Sequence, residues 1–251
     1  MQNKLKNKKI TLDLIVASIR NIDIKLAQAL IREGKVIVNG DKVILPSLKF
    51  NLETIKIDFV GLDKQYVSRG AYKLLEAIQL FNIDLKNKVC LDIGSSTGGF
   101  VQVMLEAEAN KVYAVDSGTN QLDYSLRINE KVKVYEQTNL KNLQLDMFDE
   151  KIDFVSCDVS FISLKHVFEV CSKILENHVK IMALIKPQFE ASSKYVEEGG
   201  YVDPVHHEYI INKVVNFANV FGFKMKSIAL SPIKGEKSKN IEYISLFEKI
   251  K

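Results

Sequence analysis

Apolar positions along most of this chain follow two alternating rhythms. Stretches with an apolar residue at every third or fourth position predict helices over roughly 68–81, 99–108, 119–129, 163–176 and 205–221. Short apolar runs between them predict strands over roughly 88–93, 111–116, 131–135, 152–158, 179–186, 223–230 and 241–247. Alternation of this kind gives a mostly parallel sheet with helices on both faces. No helix separates the last two strands, so they pair antiparallel and bring the sheet to seven strands. The first 58 residues read differently. Leu12, Ile15 and Ile19 have helical spacing. A second helix runs from about Ile24 to Glu33, with Leu26, Ala27, Leu30 and Ile31 on one face and Gly34 as its stop. Val36-Ile37-Val38, an Asn39-Gly40 turn and Val43-Ile44-Leu45 predict a hairpin, and another strand follows over 54–59. The expected organisation is a small α+β domain over 1–59, a polar linker over 60–66 and an α/β domain over 67–251.

Composition narrows the class. Of 251 residues, 47% are hydrophobic and 26% charged, as in ordinary globular proteins. No apolar run approaches the roughly 18 residues of a membrane span, and the first nine residues are polar and basic. We expect a cytoplasmic protein with no membrane partner. Cys90, Cys157 and Cys171 are scattered and have no metal-ligand spacing, so no metal is expected; Cys90 and Cys157 sit in apolar strand-like runs and are expected to be buried thiols. Charge is uneven. Residues 1–58 hold 11 Lys/Arg against 6 Asp/Glu, and the remainder holds 24 against 25. The basic excess is either an electrostatic handle for nucleic acid or a solvated lysine face, and charge alone leaves both open.

Residues Val89 to Phe100 read V-C-L-D-I-G-S-S-T-G-G-F. An apolar strand ends in an acidic residue and a glycine turn, and a helix follows. That order opens a nucleotide site at the carboxyl end of a Rossmann-like sheet. The spacing is not that of a dinucleotide fingerprint, and no Gly-Lys-Ser/Thr follows to make a phosphate loop. The turn resembles the first motif of S-adenosylmethionine-dependent methyltransferases. That resemblance implies that Asp92, Gly94, Ser95, Ser96, Thr97, Gly98, Gly99 and Phe100 surround the cofactor. Asp116 ends the next strand, where an acidic residue accepts bonds from ribose hydroxyls. Glu136 to Asn139, after the third strand, lie where such proteins meet the adenine, and Asn139 is the candidate there. The N-terminal stretch I-K-L-A-Q-A-L-I-R-E-G-K-V-I-V-N-G resembles the S-four RNA-binding domain. It implies RNA contacts from Lys25, Arg32 and Lys35. The segments Thr11-Leu12-Asp13 and Asp23-Ile24-Lys25 depart from that family's pattern, which shifts some contacts towards Lys4, Lys6, Lys8 and Lys9.

Lys73, Asp158, Lys186 and Glu242 stand at element ends rather than within faces. A charge at the end of a central apolar strand costs desolvation unless it is paired or used. Singly, such a lysine is an ordinary solvated charge; all four together are not. With S-R-G-x-x-K-L, K-P-Q-F-E, G-G-Y-V-D-P and S-P-I-x-G, the chain resembles the TlyA family over nearly its full length. The catalytic domain of that family is similar to the FtsJ type of ribose methyltransferase. The resemblance implies S-adenosylmethionine-dependent 2′-O-methylation of cytidine in ribosomal RNA within a subunit, large-subunit RNA favoured and small-subunit RNA possible. It implies a Lys73-Asp158-Lys186-Glu242 tetrad. A desolvated lysine beside another cation gives up its proton more readily, so Lys186 is expected to deprotonate the 2′-hydroxyl. Asp158 would position that amine, Lys73 would share the charge, and Glu242 would hold the hydroxyl or a lysine. Gly70-Ala71 and Lys239 depart from the family pattern without removing a reacting group. Arg69 either touches RNA phosphate or pairs with a carboxylate, and His206 and His207 are expected to cap a helix or lie at the surface. The alternatives are a membrane-lytic protein, after the family's haemolysin label, and an RNA-binding protein with an inactive enzyme domain. No oligomeric state follows from the sequence.

Overall fold

The computed structural model describes residues 9–20, 22–52, 54–60, 66–235 and 240–251. Lys4, Lys6, Lys8, most of the 60–66 connector and Lys239 lie outside the described residues. The residues before 66 and those from Tyr66 onward form two compact units.

In the first unit, β1 (Lys9–Thr11) leads into α1 (Leu12–Arg20), and α2 (Ile24–Arg32) follows. Asp23 caps α2 by accepting from the Leu26 N–H at 3.0 Å. Leu12, Val16, Ala27, Ile31, Val36 and Val38 form the core. β2 (Val36–Val38) and β3 (Asp41–Lys42) join through Asn39 and Gly40, both at positive φ, which is the two-residue hairpin the Asn-Gly pair favours. The second hairpin strand is shorter and earlier than the predicted 43–45. Ile44 and Leu45 are exposed because the chain turns away to α1, where Asp13 donates to the Pro46 carbonyl and Leu12 to that of Leu48. β4 (Lys49–Asn51) pairs with β1, a pairing the apolar pattern did not predict. β5 (Ile57–Phe59) is shorter than the predicted 54–59, because Thr54 and Ile55 both turn back onto the Asn51 carbonyl.

The second unit is the seven-stranded α/β sheet expected from the alternation. Its elements are α3 (Ala71–Phe81), β6 (Val89–Ile93), α4 (Gly99–Glu106), β7 (Lys111–Val115), α5 (Tyr124–Arg127), β8 (Val132–Tyr135) and β9 (Phe154–Cys157). After them come α6 (Leu164–Ile174), β10 (Lys180–Ile185), the short α7 (Pro187–Glu190), α8 (His207–Val220), β11 (Phe223–Leu230) and β12 (Tyr243–Lys249). The strand order is β11-β12-β10-β9-β6-β7-β8, and β12 runs antiparallel to both neighbours. Alternation along β6 sends Val89, Leu91 and Ile93 into the core under α6 and α8, and Cys90 into the core under α3 and α4. All three cysteines are buried, Cys90 and Cys157 as expected, and burial pushes the Cys90 and Cys171 thiols up to about 12.

One predicted helix is much shorter. Over 119–129 only Tyr124–Arg127 is α-helical. The Glu136 carboxylate takes the N–H groups of Asn120, Gln121 and Leu122 at 2.8, 2.9 and 3.2 Å, so these amides bond a side chain in place of a helix. Register explains why charged residues meet at one edge. Ile93 pairs with Cys157, Cys157 with Ala183, and Ile185 with Tyr243. Asp158, Lys186 and Glu242 therefore stand just beyond the last paired residues of three adjacent strands.

Phe168 on α6 is fully buried between Phe223 and Phe247, with ring centroids 5.5 and 4.8 Å away. Phe168→Ala should cost about 3–5 kcal/mol of stability. Denaturant unfolding of the full chain followed by circular dichroism checks this; an unchanged midpoint for the larger unit would contradict the packing.

Candidate active site

The glycine turn begins where β6 stops. Gly94 and Ser95 both donate to the Val115 carbonyl, at 2.8 and 3.1 Å, so the turn is tied to the end of β7. Gly94 has φ +85°, and a Cβ there would lie 2.7 Å from the Asp158 carbonyl oxygen; only glycine fits. Gly99 starts α4 against the residues that start α3, where a Cβ would meet Ser68 Oγ at 2.3 Å. Asp116 accepts from the Ser96 N–H at 2.8 Å and from the Gly118 N–H at 2.7 Å, which shapes the rim of the turn.

A cleft of about 850 Å³ opens beside this turn, and Gly94, Ser96, Asp116 and Asn139 are among the residues lining it. Of the other residues expected around a cofactor, Ser95, Gly98, Gly99 and Phe100 are buried in the turn and the start of α4, and Thr97 is exposed outside the cleft. Asn139 also caps a helical turn, accepting from the Lys141 N–H at 3.0 Å. Asp92 lies beneath the turn, 1% exposed. Its Oδ1 accepts from Ser156 Oγ, and its Oδ2 has no partner among the described residues. Burial pushes this carboxyl up to about 7. Glu136 does not face the cleft as an adenine contact; besides its three backbone bonds it pairs with Arg127 at 2.6 Å. Those bonds hold its carboxyl down at about 2, with the Arg127 guanidinium the first cause.

A second cleft, of about 500 Å³, is lined by Arg69, Lys73, Lys186, Gln188 and Glu242, among others. Ser160 and Phe161 line both clefts, and Asp158 lines the first. The four predicted reacting residues are therefore brought together where the clefts meet. Lys73 Nζ lies 2.8 Å from Glu242 Oε2 and 3.2 Å from Asp158 Oδ2, and Lys186 Nζ lies 2.5 Å from Asp158 Oδ1. Gln188 donates to Glu242 Oε1 at 3.4 Å. Burial opposes the charge on Lys73, but Asp158 and Glu242 outweigh it and hold the ammonium pKa above its usual value. Burial likewise works against the Asp158 carboxylate, and Lys186 and Lys73 together still keep it below the ordinary range. Two amines and two carboxylates are thus set against one another at the junction.

Several residues here were not singled out from the sequence. Phe161 is 89% exposed at φ +63°, and its ring sits 5.0 Å from that of Phe189. An exposed aromatic in left-handed backbone at a cleft rim is a functional signal, yet its place in an apolar run reads as core. His207 corrects an expectation. It neither caps nor lies at the surface, but is buried, with Nδ1 2.9 Å from Tyr243 Oη and Nε2 3.1 Å from the Val202 carbonyl. Among the described residues no His, Cys, Asp or Glu group could hold a metal ion. In the first unit, Lys25 and Arg32 are exposed, while Lys35 pairs with Glu33 at 2.8 Å.

Comparison with known proteins gives a consistent result. The FtsJ-like methyltransferase family matches residues 66–249. Hemolysin A of Brachyspira hyodysenteriae is 43% identical over 88% of this chain and 92% of its own length. The 23S rRNA (cytidine-2′-O)-methyltransferase TlyA of Campylobacter jejuni is 36% identical over 94% of this chain and 98% of its own. A solved protein of Lactococcus lactis is 45% identical with a TM-score of 0.72, covering 74% of this chain and 90% of that one.

Glu136→Ala should release the Asn120, Gln121 and Leu122 amides. Because the carboxyl sits at about 2, the bonds are present above the ordinary glutamate range and are lost only as pH falls through about 2. Hydrogen–deuterium exchange near neutral pH should show residues 117–122 exchanging faster in the variant; unchanged protection would refute the role of this carboxylate.

Proposed function

The chain belongs to the TlyA group of the FtsJ-like methyltransferase family, and we propose that it methylates the ribose 2′-hydroxyl of a cytidine in ribosomal RNA. The observation that carries the reading is the Lys73-Asp158-Lys186-Glu242 cluster at the junction of two clefts. S-adenosylmethionine supplies a methyl group already activated on a sulfonium sulfur. The residues of the first cleft fit that cofactor. Asp116 uses one bond per carboxylate oxygen, and a carboxylate has about four lone-pair sites, so it can still accept from ribose hydroxyls. Asp92 is buried beneath the turn and does not line this cleft, so it supports the turn from below.

What the protein must add is a nucleophile, since a sugar hydroxyl is a poor one at neutral pH. Lys73 is bonded to two carboxylates and stays an ammonium. Lys186 shares only Asp158 with it, and its other contacts are the Ser160 hydroxyl at 3.1 Å and the Phe189 ring at 5.8 Å. Lys186 is therefore the better base. In its neutral form it takes the hydroxyl proton onto Nζ, while the Lys73 cation stabilises the negative charge that grows on the ribose oxygen. Asp158 holds both amines in register, and Glu242 fixes Lys73. Placing oxygen and methyl in line supplies much of the acceleration. The exposed Phe161 ring offers a face on which an unstacked base can rest. Arg69 in the second cleft, with Lys25, Arg32 and Lys35 in the N-terminal unit, would meet RNA phosphate, and the natural substrate would be the RNA within a ribosomal subunit, the large one favoured. A membrane-lytic reading finds no support in the helices: among the described residues none is long and apolar enough to cross a membrane.

Calorimetry should show S-adenosylmethionine binding that weakens about tenfold in Asp116→Ala, the worth of a hydrogen bond to a charged group; equal affinity in the variant would remove Asp116 from the cofactor site. Lys186→Ala should lower single-turnover methylation of ribosomal subunits by about a hundredfold or more with cofactor and RNA affinities retained. Lys186→Arg should fail equally, because guanidinium does not surrender its proton at neutral pH. An active arginine variant would mean that Lys186 is a phosphate anchor and not the base.

A further inference from the structure

A run of contacts fastens the loop after β9 to the loop after β10, and the mechanism gives its Ser160 no role of its own. Ser160 Oγ lies 3.1 Å from Lys186 Nζ, the Phe161 ring packs on Phe189, and Ser163 Oγ and the Leu164 N–H both donate to the Glu190 carboxylate at 2.7 Å. Glu190 is buried, and Lys213 Nζ donates to its carbonyl at 2.7 Å. The two loops are therefore anchored at the Glu190 end and carry reacting groups at the Asp158 end. Ser160 is the one member of the run that touches a reacting amine through a polar atom. It is itself exposed, and it lines both clefts.

A neutral amine has two N–H bonds and one lone pair. Held only by its close contact with Asp158 Oδ1, the Lys186 amine could turn about its Cε–Nζ bond, and its lone pair would sweep past many directions. A second acceptor stops the rotation. Lys73 also has two acceptors, but both are carboxylates, and together they keep it charged. Lys186 has one carboxylate and one uncharged hydroxyl, so it is fixed in direction without a second anion to trap its proton. We propose that Ser160 is a positioning residue that accepts the second N–H of neutral Lys186 and so holds its lone pair towards the 2′-hydroxyl of the acceptor ribose. The proposal rests on the reading of Lys186 as the base. In the step it serves, the ribose O–H bond breaks, its proton joins the Nζ lone pair, and the electron pair left on oxygen is the nucleophile. Ser160 gains and loses no proton.

Threonine and valine have nearly the same shape, and only threonine keeps the hydroxyl. Single-turnover methylation of ribosomal subunits, with S-adenosylmethionine and subunits both saturating, should be slowed about tenfold or more in Ser160→Val, part of what a well-placed base contributes. Ser160→Ala, which adds no bulk, should match valine, and Ser160→Thr should stay within about threefold of the natural protein on the same scale. Dissociation constants for cofactor and RNA should not move in any of the three. Equal rates for threonine and valine, whether fast or slow, overturn the proposal, and so does a valine defect that appears in RNA affinity in place of rate. Lys186→Ala measured beside them separates the two readings. If it is active, the base assignment itself fails. If it is inactive while threonine and valine are alike, only the role of Ser160 fails.

Discussion

Two amines and two carboxylates set against each other are the constraint on which the rest of the site depends. Each alone at the end of a helix or strand would face a desolvation cost of several kcal/mol. Together they cancel, but only while their spacing holds. Lys73, Asp158 and Glu242 form one unbroken chain of contacts, and Lys186 joins it through Asp158. Losing Asp158, the partner both amines share, would disturb every other member of the group. The sheet serves this balance. The pairings of Ile93 with Cys157, Cys157 with Ala183 and Ile185 with Tyr243 bring the ends of parallel strands level with the start of an antiparallel one. A one-residue slip in any of them would point a charge away from its counter-charge.

The parts of the site carried by short stretches of chain were legible in the sequence. Val89 to Phe100 holds its strand, acidic residue and turn in twelve consecutive positions, and the glycine at 94 is demanded by a carbonyl that a Cβ would strike. Lys73, Asp158, Lys186 and Glu242 were visible because a charge closing an apolar run is conspicuous. The parts that depend on long-range pairing were not legible. The helix over 119–129 is cut short by Glu136, which lies 14 to 16 residues from the amides it takes. Ser160 and Phe161 are ordinary letters in an apolar run, and their roles, like that of Glu190, arise only when two loops from different strands are laid together. In the small unit, Asn39-Gly40 announced its turn, whereas β1 and β4 are three residues each and too short to show a period.

The two units solve the problem of a core differently. The larger one buries both faces of a sheet under helices, with Tyr113, Phe168, Phe223 and Phe247 fully enclosed. Among the described residues the smaller one closes around a cluster of six buried aliphatic side chains and leaves Ile19, Ile44, Leu45 and Leu52 more than half exposed. A core that thin contributes little stability to spare, as expected of small domains.

The wall shared by the two clefts has a thermodynamic consequence. Ser160 and Phe161 face both spaces, so a ligand that shifts this wall from one side alters the fit on the other. Affinities coupled through such a wall change by the same factor in both directions, since the free energy of the doubly occupied state cannot depend on the order of filling. Whatever the bound methyl donor does to the grip on RNA, RNA must do in equal measure to the grip on the donor. The spent cofactor, lacking one methyl group, would set its own grip on the product through the same shared wall.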